Sequence, residues 1–314
     1  MTLTDEAIRD RLRGVAVGLL TPFDDDLGIV HDDLAENATA LYERGARTYL
    51  ATANISEYHS LSQQERVDVA RTAVEALPAD ACVLAGVGGS TADARDLVRE
   101  YAAIGVDAMM VMPPDHTYLH ERGLLEYYRK LGDASDRPLV PYVRGFDPSV
   151  SYLEALTELD DVVGVKYALT DTVKLGQGVA AGADDVVWVN GLAEPYAPAY
   201  WAEGAEGFSA GVSNFRPEVG LALFDALSEG EWERARALRE ACMPFQTLRG
   251  GTGHGNELPG AVSVPVVKAG LEFAGLNGGS VREPIRPLPA EIRQEARRRY
   301  ERLDEEIGRL VDDA

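Results

Sequence analysis

Val162-Val163-Gly164-Val165-Lys166-Tyr167 is a short, β-branched run that ends on a lysine and is followed by Thr170-Asp171. Such a run reads as a parallel strand buried on both faces and opening into a loop. The C-terminal end of a strand is where α/β folds place their chemistry, so the lysine stands at a chemically informative position. It is also rare: of the 30 Lys and Arg residues only Lys130, Lys166, Lys174 and Lys268 are lysines. An exposed amine is protonated at neutral pH, whereas an apolar wall penalises the charged form and frees a nucleophile of the Schiff-base kind. A lysine that snorkels or pairs with an acid at a strand end is the competing reading of this residue taken alone.

Working outward, apolar strand-like runs recur at 14–20, 48–52, 82–86, 108–112, 139–142, 162–166, 186–189 and 207–211. Helix-length amphipathic stretches such as 31–45, 63–77, 92–104 and 122–134 separate them. Eight strands in this alternation predict an α/β fold, a (β/α)8 TIM barrel rather than an open doubly wound sheet. After Pro217 the pattern becomes wholly helical, over 218–227, 231–242, 264–274 and 290–311, with a glycine-rich connection at 250–260. The expected organisation is a barrel over 1–217 carrying the site, with a C-terminal helical region over 218–314 packed on it.

Composition narrows the function classes. The 314 residues carry 52 acidic against 30 basic side chains, a formal charge of -22 that repels nucleic acid and anionic membrane surfaces. Acid excess with arginine in place of lysine reads as the solvated surface of a protein from a high-salt cytoplasm. No signal-peptide core and no run of 18 apolar residues is present, so a cytoplasmic location is expected. Cys82 and Cys242 give neither a disulfide framework nor metal-ligand spacing, and no metal is expected. The Gly86-Val87-Gly88-Gly89 turn lacks the rest of a nucleotide-binding fingerprint, and no cofactor is expected.

In a barrel the loops after the strands build the site, so the strand-end residues form one candidate constellation. They are Ala53-Asn54-Ile55-Ser56-Glu57 after the second strand, Tyr142-Val143-Arg144-Gly145 after the fifth, Lys166 after the sixth, and Ser209-Ala210-Gly211 after the eighth. Tyr142 and Lys166 fall on neighbouring strands, and a phenol beside an amine is suited to the proton transfers of iminium chemistry. His59 and His116 lie in loops near this rim, and Glu57 reads as a structural carboxylate for loop amides.

Several pieces in this order resemble the superfamily of dihydrodipicolinate synthase and N-acetylneuraminate lyase. They are Gly18-Leu19-Leu20-Thr21-Pro22-Phe23, Glu57-Tyr58-His59-Ser60-Leu61, Val83 to Gly89, Met112-Pro113-Pro114, Pro141-Tyr142, Gly164-Val165-Lys166 and Val266 to Leu271. The resemblance implies a Schiff base between Lys166 and a 2-keto acid, Tyr142 as its proton-transfer partner, and carboxylate binding by Asn54, Ile55 and Ser56 with help from Ser209 and Gly211. It also implies a homotetramer. Two places depart from the family pattern. Ile55 stands where a threonine hydroxyl is usual, which passes the proton relay to water, Tyr118 or a neighbouring subunit. Val143-Arg144-Gly145 replaces the segment typical of the synthases and resembles the branch acting on keto-deoxy sugar acids, with Arg144 clamping a distal carboxylate or hydroxyl. The implied reaction is retro-aldol cleavage or dehydration of a 2-keto-3-deoxy sugar acid. Condensation of pyruvate with aspartate semialdehyde is the alternative reaction, and a weakly active keto-acid-binding protein the alternative class.

Overall fold

The computed structural model of the chain describes residues 2–311. A short helix α1 (Asp5–Leu12) precedes β1 (Val15–Gly18), α2 (His31–Glu43), β2 (Thr48–Leu50), α3 (Gln63–Ala76) and β3 (Cys82–Val87). The alternation continues through α4 (Thr91–Ile104), β4 (Ala108–Val111), α5 (Glu121–Gly132), β5 (Leu139–Val143), α6 (Val150–Thr157) and β6 (Gly164–Tyr167). It closes with α7 (Thr172–Ala181), β7 (Val187–Asn190), α8 (Ala197–Ala202) and β8 (Gly207–Ser209), after which come α9 (Pro217–Ser228), α10 (Trp232–Arg249), α11 (Ser263–Phe273) and α12 (Ala290–Val311). The strands form a closed barrel in sequence order, and β8 returns to β1 in parallel through Val15 opposite Phe208 and Ala16 opposite Ser209. The expected TIM barrel is the fold observed.

Local sequence explains the alternation. Ser62 and Glu65 form a reciprocal capping box that starts α3, and the hydroxyls of Ser90 and Ser149 cap α4 and α6. Every strand residue is buried, because helices cover the barrel outside and side chains fill it inside. The interior cluster includes Leu50, Leu84, Val140, Val163 and Val187, and Ile8 and Leu12 of α1 join it from the N-terminal end. The larger cluster lies between the strands and the helices. This double burial is why the strands read as continuous apolar runs.

Three details differ from the sequence reading. The eighth strand ends at Ser209 rather than at 211, because the chain turns at Gly211 into a short 3-10 turn at Val212–Asn214. α9 follows that turn and packs against β1, so the helical stretch begins as part of the barrel wall. The helix expected over 231–242 continues past Pro244 to Arg249. Proline removes one helical hydrogen bond and crowds the preceding turn, which locally argues for a stop. Packing of α10 against α9 and α12 overrides it. Among the described residues no helix is long and apolar enough to cross a membrane.

The C-terminal helices also reach the catalytic end of the barrel. Lys268 of α11 pairs with Glu57 at 2.7 Å, and the two side chains are 3% and 0% exposed. Glu57 also accepts the backbone N–H of Arg282 at 3.1 Å. Its backbone lies in the left-handed region at φ 61°, so the loop after β2 is held in a conformation that a carboxylate would not choose alone. Removing one partner of a buried pair leaves the other charge uncompensated. Lys268→Met is therefore expected to cost about 3–5 kcal/mol in urea unfolding. The double variant with Glu57→Gln should recover much of that loss, and equal losses in the single and double variants would count against the pairing.

Candidate active site

The strand ends and the loops above them enclose a cavity of about 560 Å³. Lys166 and Tyr142 face each other directly in the β5–β6 register. Within β6, Val165 and Tyr167 turn to the helical layer, while Lys166 reaches the interior and lies 3.7 Å from the sulfur of Met110. Its amine sits 4.3 Å from the centre of the Tyr142 ring. Lys166 makes no ion pair among the described residues, so the snorkelling and salt-bridge readings of this lysine do not describe it.

Burial, and secondarily the positive charge of Arg144, lowers the pKa of Lys166 from 10.5 to about 7. Protonation is what desolvation disfavours, so at neutral pH a large share of the amine is the free base. The rate of iminium formation with pyruvate, trapped by borohydride, is therefore expected to rise with pH up to about 7 and to be level above it. A rate still climbing at alkaline pH would mean an ordinary, solvated lysine.

Burial raises the pKa of Tyr142, so its phenol keeps its proton at neutral pH. The charge of Arg144 and hydrogen bonds with Arg144 and Asn54 act in the opposite direction. Arg144 lies with its guanidinium carbon 5.8 Å from the centre of the Tyr142 ring. Asn54, on a 3-10 turn at Asn54–Ser56, lines the same cavity as the Tyr142 phenol. Ile55 lines the cavity too and packs over Gly18, where a Cβ would come within 2.5 Å of the isoleucine methyl.

Of the remaining sequence candidates, Ser209 lines the cavity, with its hydroxyl donating to the Asn190 carbonyl at 3.2 Å. Ser56 does not line it. Its side chain is fully buried, accepts from the N–H of Ala53 at 3.1 Å and serves the turn itself. Gly211 also stands behind the lining, and its N–H donates to Glu194 at 2.9 Å. His59 lies outside the cavity lining, edge-on to Tyr58. His116 and Tyr118 border a separate cleft above α5, where Tyr118 is 84% exposed.

The sequence reading missed a wall of the cavity. Gln246, Arg249 and Ser263 enter it from α10 and α11. Glu194 anchors Gln246: its fully buried carboxylate accepts the N–H groups of Gly211, Val212 and Ser213, the Ser213 hydroxyl and the Gln246 amide. A Cβ at position 211 would meet Gln246, Arg249 and Glu194 within 2.0 to 2.6 Å, so glycine is needed for this approach. The available signal was the three-residue spacing of Gln246 and Arg249, continuing a helix that Pro244 seemed to end.

With this geometry in view, the chain can be set beside known proteins. The model of the dihydrodipicolinate synthetase family matches residues 11–302. A probable 5-dehydro-4-deoxyglucarate dehydratase of Oceanobacillus iheyensis is 27% identical over 299 residues, covering 93% of this chain and 92% of the relative. A Streptomyces coelicolor protein with the same probable activity is 32% identical over 284 residues, covering 87% of this chain and 86% of the relative. The crystal structure of a dihydrodipicolinate synthase from Oceanobacillus iheyensis superposes with a TM-score of 0.90 at 30% identity, covering 96% of this chain and 100% of that one.

Proposed function

The chain belongs to the dihydrodipicolinate synthetase family, and from that premise we propose that it is a Schiff-base-forming lyase acting on a 2-keto-3-deoxy sugar acid. The observation that carries this reading is the buried, partly deprotonated Lys166 amine beside the Tyr142 phenol in a cavity that also holds Arg144. The amine attacks the keto carbon, and the carbinolamine loses water to give an iminium. Tyr142 supplies the proton to the departing hydroxyl. The iminium acidifies carbon 3, and loss of a proton there gives an enamine. The carbon 4 hydroxyl then takes up a proton and leaves as water, giving an unsaturated iminium whose hydrolysis by water frees the product and the Lys166 amine; the net change is a dehydration, the reaction named for the two sequence relatives. Retro-aldol cleavage uses the same iminium: the carbon 4 hydroxyl loses its proton, the bond between carbons 3 and 4 breaks, and pyruvate is left as its enamine, which takes up a proton at carbon 3 and is hydrolysed by water to free pyruvate and the Lys166 amine.

Condensation of pyruvate with aspartate semialdehyde is the second reading, favoured by the name of the superposed synthase. Arg144 in the place of the synthase segment weighs against it. The test is a panel of 2-keto-3-deoxy sugar acids, with pyruvate plus aspartate semialdehyde, read by mass spectrometry. Loss of water without cleavage supports the dehydratase, free pyruvate the aldolase, and a condensation product the synthase. A borohydride-trapped adduct without turnover of any of them would make the chain a keto-acid-binding protein. The same reading includes a homotetramer in a salt-rich cytoplasm, which light scattering in molar KCl would test.

A further inference from the structure

Arg249 is unusually placed for an arginine in a chain of net charge -22. It closes α10, and burial disfavours its charge, although a guanidinium is not deprotonated in proteins. Its two terminal nitrogens donate to neutral oxygens, one to the Gln246 carbonyl at 2.8 Å and one to the Ser263 hydroxyl at 3.3 Å. Its buried Nε has no partner among the described residues. Gln246 stands between Arg249 and Glu194, and the carboxylate is occupied by the backbone after β8. Among the described residues the guanidinium has no direct ion pair; Glu194 acts on it only through space, favouring its charged form, and Arg249 lines the same cavity as Lys166.

Arg144 lies close to the reacting amine, after β5, whereas the Arg249 cluster rests on the loop after β8, three strands round the ring. A molecule whose keto carbon is joined to Lys166 has its carboxylate next to that carbon at the reacting end. A second cation elsewhere in the cavity calls for a second anion at the other end of the molecule. We propose that Arg249 is a specificity-determining residue that receives the distal carboxylate of a keto-deoxy diacid, so that the site prefers diacids to the matching monoacids. This rests on the lyase reading for the position of the keto end, and on Arg249 alone for the distal end.

The test compares 2-oxoadipate with 2-oxohexanoate, six-carbon 2-keto acids that differ in the distal carboxylate. The readout is the ratio of concentrations giving half-maximal borohydride trapping on the unaltered protein, which neither the amount of folded protein nor the reactivity of the amine changes. The diacid should trap at a concentration lower by about thirtyfold or more, the scale of a buried charge-assisted pair. Arg249→Gln should bring the ratio close to one, and Arg249→Lys should keep part of the preference. Equal trapping of the two acids by the unaltered protein, or a preference that survives Arg249→Gln, overturns the proposal. Should Arg249→Gln fail to fold, the ratio in the unaltered protein still decides, and Ser263→Ala, which removes one acceptor that aims the guanidinium, should lower it. Should no keto acid form an adduct, the lyase reading fails by itself. The distal site is then judged by whether adipate, and not hexanoate, raises the melting temperature. Equal effects of the two would end the proposal.

Discussion

Lys166→Ala is expected to abolish the borohydride-trapped adduct with pyruvate and to lower kcat/KM by about four to six orders of magnitude, the scale seen when a covalent nucleophile is removed. Peptide mass spectrometry should place the adduct of the unaltered protein on Lys166 and nowhere else, and an adduct persisting in the variant would move the chemistry to another amine. The same substitution bears on stability in the opposite sense. A lysine whose pKa falls from 10.5 in the unfolded chain to about 7 in the folded one binds its proton less well when folded. Below pH 7 the folded state carries a penalised charge, and the penalty fades as pH rises from about 7 toward 10.5. At pH 7 it amounts to about 4 kcal/mol, so Lys166→Met is expected to melt no lower than the unaltered protein. Function is here maintained against stability.

Tyr142→Phe is expected to slow turnover by on the order of a hundredfold or more, the usual worth of a positioned proton donor or acceptor. The adduct should still form, since Lys166 keeps its amine and its apolar wall, but its rate of formation should fall with turnover. The phenol is buried and keeps its proton in the cavity that Asn54 and Arg144 also line, which suits it to donate to the carbinolamine hydroxyl. Single-turnover kinetics with pyruvate separate adduct formation from later steps, and unchanged rates would remove Tyr142 from the mechanism.

The barrel was legible because its strands are buried on both faces and its helices begin at serine caps, so local composition and architecture agree. Lys166, Tyr142, Asn54, Ile55, Arg144 and Ser209 were legible as strand-end residues, and the cavity gathers all six. Ser56 and Gly211 were placed in the same loops correctly but not in the cavity, because sequence order does not tell which way a loop residue turns. Arg249 escaped because Pro244 is a local stop signal that only packing against α9 and α12 overrides. Lys268 was visible as part of a motif without a role, because its partner Glu57 lies far upstream and no local pattern links them.

That last pairing has a consequence for how the protein is made. Translation delivers the loop after β2 early, and the eighth strand ends at Ser209, well before Lys268 and Arg282. Glu57 must wait for Lys268, and later for the amide of Arg282, before its left-handed turn is held. A nascent chain therefore carries the loop after β2 without these two contacts until the C-terminal helices have been made. The last helices thus hold a loop made about two hundred residues earlier, and a chain ending before Lys268 would lack both contacts to Glu57.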